Sequence, residues 1–222
     1  MSRLALFDLD HTLLSGDSDG LWCEFLMQHG QLPRGEFEGR NAQMAERYHA
    51  GSVTPVEFCE FYVSTLAGRA PAQWQPWRER FLGDVVAPLI PPAAHALLDS
   101  HRQRGDTLVL TTATNRFITE LTARHLGISH LIATEAEVAA GSFSGRLLGV
   151  PNMRDGKVTR LLGWLADRDL PASLLEGASF YSDSANDLPL LRAVGHPVAV
   201  DPDATLLAAA VAGGWPVLRL AR

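Results

Sequence analysis

The first apolar stretch of the chain is short and ends at acidic residues. Leu4–Phe7 are consecutive hydrophobic residues, and Asp8 follows them directly. An apolar run of this length without alternation is typical of a strand that is buried on both faces of a parallel sheet. The pattern therefore predicts a buried strand whose carboxyl end carries polar groups.

The pattern between residues 17 and 81 is different, because apolar residues recur there at helical spacing and strand-like runs are absent. One helix start is visible at Thr54, which is followed by Pro55 at the first helical position. Glu57 stands three residues after Thr54, which is the spacing of a capping box. We therefore predict an all-helical unit in this part of the chain.

From residue 93 onward, strand-like and helix-like segments alternate, which implies a parallel sheet covered by helices on both faces. Residues 139–147 are the exception, because two glycines interrupt them and predict a hairpin-like excursion. The predicted strands are Thr107–Thr111, His130–Thr134, Ala178–Ser182, Val198–Val200 and Val217–Leu218. The predicted helices are Ala93–Arg104, Arg116–Leu126, Lys157–Arg168 and Leu188–Val194.

The order of elements predicts an α/β fold, namely a Rossmann-like parallel sheet with helices on both faces and an inserted helical unit. We place the α/β core at residues 1–14 and 86–222 and the insertion at residues 15–85. In open α/β sheets, ligands bind beyond the carboxyl ends of the strands. We therefore expect a site where Asp8, Thr112 and Asp183 follow predicted strands.

Composition and charge narrow the function classes. Hydrophobic residues make up 46% of the chain and charged residues 20%, as in an ordinary soluble globular protein. A formal net charge of −6 gives no electrostatic reason to expect a nucleic acid or an anionic membrane as partner. Such a protein can bind a phosphorylated anion only through a metal ion or a few placed cations.

Cysteine usage and hydropathy bear on location. Cys23 and Cys59 show no metal-binding spacing, and a secreted domain held by disulfides would carry more cysteines. The sequence leaves open whether these two residues form a single disulfide. No stretch approaches the ~20 apolar residues of a membrane helix. We expect a soluble, cytoplasmic monomer or homodimer.

The segment after the first strand carries the first chemistry. Asp8, Asp10 and Thr12 alternate along it, so an extended backbone would direct both carboxylates to one side. Two carboxylates close together need a cation or a shared proton. Mg²⁺ suits carboxylate and carbonyl oxygens together with waters. Taken alone, such a pattern is usually a solvated turn or a helix cap.

Further polar groups lie at later positions of the same predicted sheet edge. They are the acidic segment 183–187, Thr112 and Lys157. Alone, Lys157 is more often a surface lysine, and a threonine at a strand end is more often a satisfied hydroxyl. The order and spacing of all these groups together indicate a phosphoryl-transfer site. Thr112 is favoured over Thr111 as the first residue beyond its strand, and Thr111 stays open.

These segments resemble the signatures of the haloacid dehalogenase superfamily of phosphatases. Residues 7–13 resemble the first signature, Thr112 the second, Lys157 the third and Asp183–Asp187 the fourth. The resemblance spans nearly the whole chain, and the helical insertion matches the mobile cap of that family. The cap position, the fourth signature and the surroundings of Lys157 look most like the phosphoserine-phosphatase-like branch.

The resemblance implies a Mg²⁺-dependent phosphomonoester hydrolase that forms an aspartyl phosphate on Asp8. Asp10 would protonate the leaving alcohol and then take a proton from the attacking water. Thr112 and Lys157 would hold the phosphoryl oxygens. The implied metal ligands are Asp8, the backbone carbonyl of Asp10, Asp183 and, through the metal waters, Asp187.

The resemblance also implies where the substrate binds. Asp17 stands where phosphoserine-specific relatives place an acid that meets the substrate ammonium group, although an N-cap explains the same residue equally well. Asp19 and Glu24 follow nearby. Thr12 and Asn186, in the first and fourth signatures, are further candidates for substrate contact.

The chain departs from phosphoserine-specific relatives in its cap. Those relatives carry an arginine on a later cap helix, whereas Glu60 stands at that place here and no arginine lies between Tyr48 and Gly68. We therefore expect an amine-bearing phosphomonoester without a carboxylate, such as histidinol phosphate rather than phosphoserine. A shift in helix register would let Arg47 supply the missing cation.

Two other functions stay open. The first is a phosphotransferase or mutase that passes the phosphoryl group from Asp8 to an alcohol instead of water. The second is a catalytically silent binding protein with the same fold, which would be expected to have lost a carboxylate or the lysine.

Overall fold

A computed structural model describes residues 3–221 of the chain. Its centre is a six-stranded sheet in the order β3-β2-β1-β6-β7-β8, with every neighbouring pair parallel. The strands are β1 (Leu4–Phe7), β2 (Thr107–Asn115), β3 (His130–Thr134), β4 (Ala136–Ala139), β5 (Ser142–Leu147), β6 (Ser179–Ser182), β7 (His196–Val200) and β8 (Val217–Leu218). The helices are α1 (Ser18–Gln28), α2 (Arg34–His49), α3 (Pro55–Val63), α4 (Pro71–Phe81), α5 (Pro92–Gln103), α6 (Arg116–His125), α7 (Asp155–Ala166), α8 (Leu188–Ala193) and α9 (Ala204–Gly213).

Strand β1 lies between β2 and β6, and its side chains alternate between two hydrophobic cores. Leu4 and Leu6 pack with α7, α8 and α9 on one face of the sheet. Ala5 and Phe7 pack with α1, α4, α5 and α6 on the other face. Because both faces are covered, every position of the strand is apolar. The predicted α/β fold with helices on both faces is confirmed.

Helices α1 to α4 occupy the predicted insertion between β1 and β2. Two of them share the core of the sheet, since Trp22 of α1 and Trp74 of α4 belong to its hydrophobic cluster. A separate apolar cluster links α1, α2 and α3, with Phe37 and Phe61 among its members. The division of the chain at residues 14/15 and 85/86 stays a prediction.

The predicted start of α3 is confirmed in its hydrogen bonds. The Glu57 backbone N–H donates to Thr54 Oγ1 at 3.2 Å, and the Thr54 backbone N–H donates to Glu57 Oε2 at 3.0 Å. These reciprocal bonds satisfy two of the donors that a helix start leaves without partners. The predicted excursion at residues 139–147 is also observed, as the antiparallel pair β4 and β5.

Strand β2 is longer than predicted, because it continues past Thr111 to Asn115. The sequence there is rich in threonine and was expected to leave the sheet. Asn152 explains the difference, since its Nδ2 donates to the Thr111 hydroxyl at 3.0 Å and to the Thr112 carbonyl at 3.0 Å. Polar groups satisfied in this way can be buried within a strand.

Cys23 and Cys59 are both free and buried, so they do not form the disulfide that the sequence had left undecided. Within residues 3–221, no single helix is long and apolar enough to cross a membrane, although the bent pair Pro71–Leu89 and Pro92–Gln103 meets the length and composition criterion together.

Candidate active site

The carboxyl edge of the sheet brings a lysine and two aspartates into direct contact. Asp8 directly follows β1, and Lys157 lies in the first turn of α7. The Lys157 ammonium donates to Asp8 Oδ1 at 2.7 Å and to Asp187 Oδ2 at 2.7 Å. Lys157 is only 3% exposed, so this cation is held inside the protein by two counter-ions.

The start of α7 is fixed by a close backbone approach next to this lysine. A Cβ atom added to Gly156 would lie 2.0 Å from the carbonyl oxygen of Pro151. Only glycine fits at this position, since the opposing atom belongs to the backbone and cannot rotate away. The glycine therefore sets where Lys157 enters the site.

Lys157 stays protonated in this environment. Burial alone would lower the pKa of Lys157, but the charges of Asp187 and Asp8 outweigh burial and hold that pKa above its usual range. Ser182 Oγ also donates to Asp187 Oδ2, at 2.7 Å. Asp187 is thereby fixed as the partner that orients the ammonium group.

The remaining carboxylates near Asp8 carry more negative charge than Lys157 can balance. Burial raises the pKa of Asp8, and the charges of Asp187 and Asp10 raise it further against the effect of Lys157. Burial and the charge of Asp8 likewise raise the pKa of Asp183. Raised pKa values in a group of buried carboxylates indicate a site that favours an additional cation.

Thr12 supports Asp183. The Thr12 hydroxyl donates to Asp183 Oδ1 at 3.1 Å and accepts from the Asp183 backbone N–H at 3.1 Å. Thr12 is fully buried, and the turn that carries it includes His11 at φ 54°, in the left-handed region. Asp8 and Asp10 therefore reach the site from a strand end and a tight turn rather than from one extended segment, which corrects the sequence expectation.

Asp10 is held by α1 and β2. Its Oδ1 accepts from the Ser18 backbone N–H at 2.7 Å, and its Oδ2 accepts from Thr114 Oγ1 at 3.0 Å. Thr112 Oγ1 lies 3.5 Å from the same Oδ2 atom, whereas the Thr111 hydroxyl is bound by Asn152. Of the two candidate threonines, Thr112 is the one beside Asp10.

The helical insertion contacts the fourth signature through Tyr48 on α2. Asn186 Nδ2 donates a short hydrogen bond to the Tyr48 hydroxyl, and Asn186 Oδ1 accepts from Arg154 Nε at 3.0 Å. Arg154 has φ 53° directly before α7. Neither Tyr48 nor Arg154 was predicted, because their contacts join segments that are distant in sequence.

Several of these groups line a cavity of about 140 Å³. The insertion contributes to its wall, and Asp17 both lines it and caps α1 by accepting from the Gly20 backbone N–H at 2.8 Å. Of the predicted site residues, Asp8, Asp10, Asp17, Lys157, Asp183, Asn186 and Asp187 line the cavity. Those outside its lining are Thr12, Thr112 and Glu60.

Asp19 and Thr114 line the cavity as well, although the sequence singled out neither as a site residue. Burial, followed by the charges of Asp17 and Asp10, raises the pKa of Asp19. Glu24 instead pairs with Arg34 at 2.8 Å on the exposed side of α1. Asp19 stands three residues before Trp22, a core residue, so both side chains lie on the same face of α1. This spacing was the signal in the sequence that the side chain of Asp19 points into the protein.

Comparison with known proteins decides the family. Residues 5–192 match the family described as haloacid dehalogenase-like hydrolase. The chain belongs to this family. A histidinol-phosphatase from Neisseria meningitidis serogroup C is 37% identical over 219 residues, which cover 98% of this chain and 99% of the relative. The predicted family and enzyme class are confirmed, and the protein is a phosphatase for a small phosphorylated substrate.

Similar solved structures support the fold. A protein of unknown function from Bordetella pertussis Tohama I is 42% identical, with a TM-score of 0.93 and coverage of 98% of this chain and 99% of that chain. A substrate-bound phosphoserine phosphatase superposes with a TM-score of 0.70 at 16% identity, covering 98% of this chain and 93% of that chain. At that identity the similarity concerns the fold alone.

The donor set of this family member fits a hard divalent cation. Within the described part of the chain, no group of three or more His, Cys, Asp or Glu side chains is arranged to hold a metal ion by itself. Mg²⁺ does not require such a cage, because it keeps several waters and binds through one or two carboxylates and the substrate phosphate. Asp8 and Asp183 place two carboxylates at this edge of the sheet, and burial raises the pKa values of both.

Proposed function

We propose that this family member is a Mg²⁺-dependent phosphomonoester hydrolase in which Asp8 is the covalent nucleophile. The observation that carries the proposal is the buried Lys157 ammonium between Asp8 and Asp187, at 2.7 Å from each. Lys157 holds Asp8 Oδ1, while Oδ2 has no hydrogen-bond partner among the described residues. Oδ2 is thus the oxygen that attacks phosphorus, and an aspartyl phosphate forms as the alcohol leaves.

Asp10 transfers the protons in both halves of the reaction. Burial, together with the charge of Asp17, raises the pKa of Asp10 to about 7. A carboxyl group with a pKa near the working pH can give a proton to the leaving alcohol and later take one from the attacking water. The Ser18 backbone N–H and the Thr114 hydroxyl keep Asp10 in a fixed orientation for both transfers.

Asp8, Asp183 and the backbone carbonyl of Asp10 would hold Mg²⁺, with Asp187 orienting its waters. The bound ion supplies positive charge against the phosphoryl oxygens. Lys157, which is bound to Asp8 Oδ1, supplies a second and permanent positive charge. Thr112 supplies a hydroxyl donor beside Asp10. These contributions meet the need of an acidic protein for local positive charge at a phosphate site.

The proposed substrate is a small amine-bearing phosphomonoester without a carboxylate, with histidinol phosphate as the first candidate. The similarity to a histidinol-phosphatase supports it, as do the acids Asp17 and Asp19 in the cavity wall. Arg47 pairs with Glu57 at 2.8 Å, and Arg154 is outside the cavity lining, so neither supports binding of a carboxylate. A role for Glu60 stays a prediction, since that residue is also outside the lining.

The test is a panel of phosphomonoesters assayed with and without Mg²⁺. We expect histidinol phosphate to have the highest kcat/KM, and Asp8→Asn to lower turnover of every substrate by more than about 1,000-fold. Phosphoserine as the best substrate would contradict the substrate proposal alone. Absence of Mg²⁺-dependent turnover across the whole panel would contradict the proposed reaction.

A further inference from the structure

Asp19 is a buried carboxylate in the cavity wall with an unused oxygen. It lies in the first turn of α1, is 6% exposed and lines the cavity together with Asp10 and Asp17. Its Oδ1 atom is buried and accepts no hydrogen bond from any described residue. A buried carboxylate oxygen without a donor is costly in free energy, so such an atom indicates a ligand that supplies one.

The second oxygen of Asp19 is only partly satisfied. Thr114 Oγ1 lies 3.2 Å from Asp19 Oδ2 and 3.0 Å from Asp10 Oδ2, and it accepts a hydrogen bond from Ser18 Oγ at 3.0 Å. A threonine hydroxyl has a single hydrogen to donate. Asp10 and Asp19 therefore share one hydroxyl hydrogen. Asp10 also accepts from the Ser18 backbone N–H at 2.7 Å, so Asp19 is the carboxylate that is short of donors.

The ammonium of Lys157 does not neutralise this wall, because it is bound to Asp8 and Asp187. Within residues 3–221, no group of three or more His, Cys, Asp or Glu side chains is arranged to hold a metal ion. A cationic group on the substrate would complement the negative charge of Asp10, Asp17 and Asp19.

We propose that Asp19 is a specificity-determining residue, whose Oδ1 accepts an N–H from a cationic nitrogen on the leaving group. This inference rests on the proposed function, and it names the group that selects an amine-bearing substrate. The nitrogen would satisfy Oδ1 and place one positive charge beside Asp10, Asp17 and Asp19. A neutral hydroxyl at the same place could donate a hydrogen bond but would leave the charge uncompensated.

Asp17 is the weaker partner of the same cation. It is exposed, and its Oδ1 already accepts from the Gly20 backbone N–H. Water and salt screen an exposed carboxylate far more than a buried one. We therefore expect the charge of Asp19 to contribute more to selectivity than the charge of Asp17.

The experiment compares two substrates that differ in one group. They are histidinol phosphate and its analogue with a hydroxyl in place of the amino group. In the wild-type protein we expect a higher kcat/KM for the amine, and in Asp19→Asn we expect the amine-to-hydroxyl ratio of kcat/KM to fall roughly 10- to 100-fold, the range for a hydrogen bond to a charged group. Glu24→Gln is the control, since it removes an exposed charge from the same helix and should leave the ratio unchanged.

The ratio separates selectivity from a structural effect. An acidic residue in the first turn also stabilises the helix by interacting with its dipole. If Asp19→Asn removed only that effect, kcat/KM would fall equally for both substrates, and this result would overturn the inference. An unchanged ratio in Asp19→Asn would overturn it as well. If the wild-type protein hydrolyses neither compound nor any other phosphomonoester with Mg²⁺, the proposed function fails instead.

A measurement on the wild-type protein covers the case in which Asp19→Asn does not fold. Histidinol and its analogue with a hydroxyl in place of the amino group are compared as competitive inhibitors. The inference requires histidinol to bind at least about 10-fold more tightly, and this advantage should persist with added salt, because the carboxylate of Asp19 is buried. Equal inhibition by the two alcohols would overturn it.

Discussion

The ammonium of Lys157 is held between two carboxylates that are themselves buried, and each of the three groups depends on the others. Asp8 and Asp187 raise the pKa of Lys157 against the effect of its burial. In return, Lys157 is the basic side chain that pairs with them. The same contacts therefore serve both the proposed nucleophile and the stability of the sheet edge.

Removing this ammonium should damage stability and activity together. Lys157→Met leaves Asp8 and Asp187 buried without their counter-ion, and breaking a buried pair costs about 3–5 kcal/mol. We expect urea unfolding to report a loss in this range and kcat to fall by at least about 100-fold. Arg168→Met, which removes an exposed cation just after the same helix, should change neither quantity much. A stable and active Lys157→Met would contradict the role given to the ammonium.

Sequence reasoning reached the charged residues of the site because each stands at a strand end or a helix start. Asp8 and Asp183 follow buried apolar runs, and Lys157 falls within one turn of the start of α7. Tyr48 and Thr114 escaped prediction, because their importance lies in contacts with Asn186 and Asp10 across the fold. Such contacts depend on packing, which a hydrophobic pattern does not encode.

At the scale of elements, α7 contains two glycines with opposite surroundings. A side chain at Gly156 would collide with the Pro151 carbonyl oxygen at 2.0 Å, whereas nothing lies within 4 Å of one at Gly163. Both residues are helical, so the intrinsic preference of a helix for alanine over glycine is the same at each. Substitution at these two positions therefore separates the effect of the close approach to Pro151 from the effect of helix propensity.

The two alanine variants should therefore diverge. Gly156→Ala should push the start of α7 away from residue 151 and lower kcat by at least about 10-fold, since displacements near 1 Å at catalytic groups have large effects. Gly163→Ala should raise the free energy of unfolding by about 0.5–1 kcal/mol without changing kcat. Chemical denaturation and steady-state kinetics measure both. Equal behaviour of the two variants would show that the approach to Pro151 has no role.

Element boundaries were predicted where apolar runs meet glycine or proline, and missed where buried polar residues continue a strand. The threonines at 111, 112 and 114 are each at most 2% exposed, yet threonine at a strand end resembles a loop in sequence. Asn152, from the loop before α7, donates to the Thr111 hydroxyl and to the Thr112 carbonyl, and so satisfies polar groups of two of them. No local pattern predicts a partner that arrives about 40 residues later in the chain.

At the scale of the whole molecule, a buried histidine joins α5 to the sheet. His101 is 2% exposed, and its ring nitrogens lie 2.8 Å from Asp106 Oδ2 and 2.9 Å from the Tyr181 hydroxyl of β6. Burial lowers the pKa of His101, although the hydrogen bond to Asp106 opposes the shift. The folded protein therefore favours the neutral ring.

This shift predicts how stability responds to pH. Because the pKa of His101 is lower in the folded state, the unfolded chain takes up the proton first as pH falls through about 6.5. The stability advantage of wild type over His101→Gln should therefore be complete above that pH and shrink below it. Urea unfolding between pH 7.5 and 5.5 measures the difference, with His196→Gln as a control at an exposed histidine. An advantage that grows on acidification would show that the ion pair with Asp106 dominates instead.

Lys157 is the only lysine among the 222 residues, since every other strongly basic side chain is an arginine. Incorporation of isotope-labelled lysine would therefore place a single spectroscopic probe in contact with Asp8 and nowhere else. Amine-directed reagents would likewise have one internal target, which burial protects in the folded protein. The chain thus carries a built-in reporter of the state of its proposed catalytic centre, and no engineered label is needed.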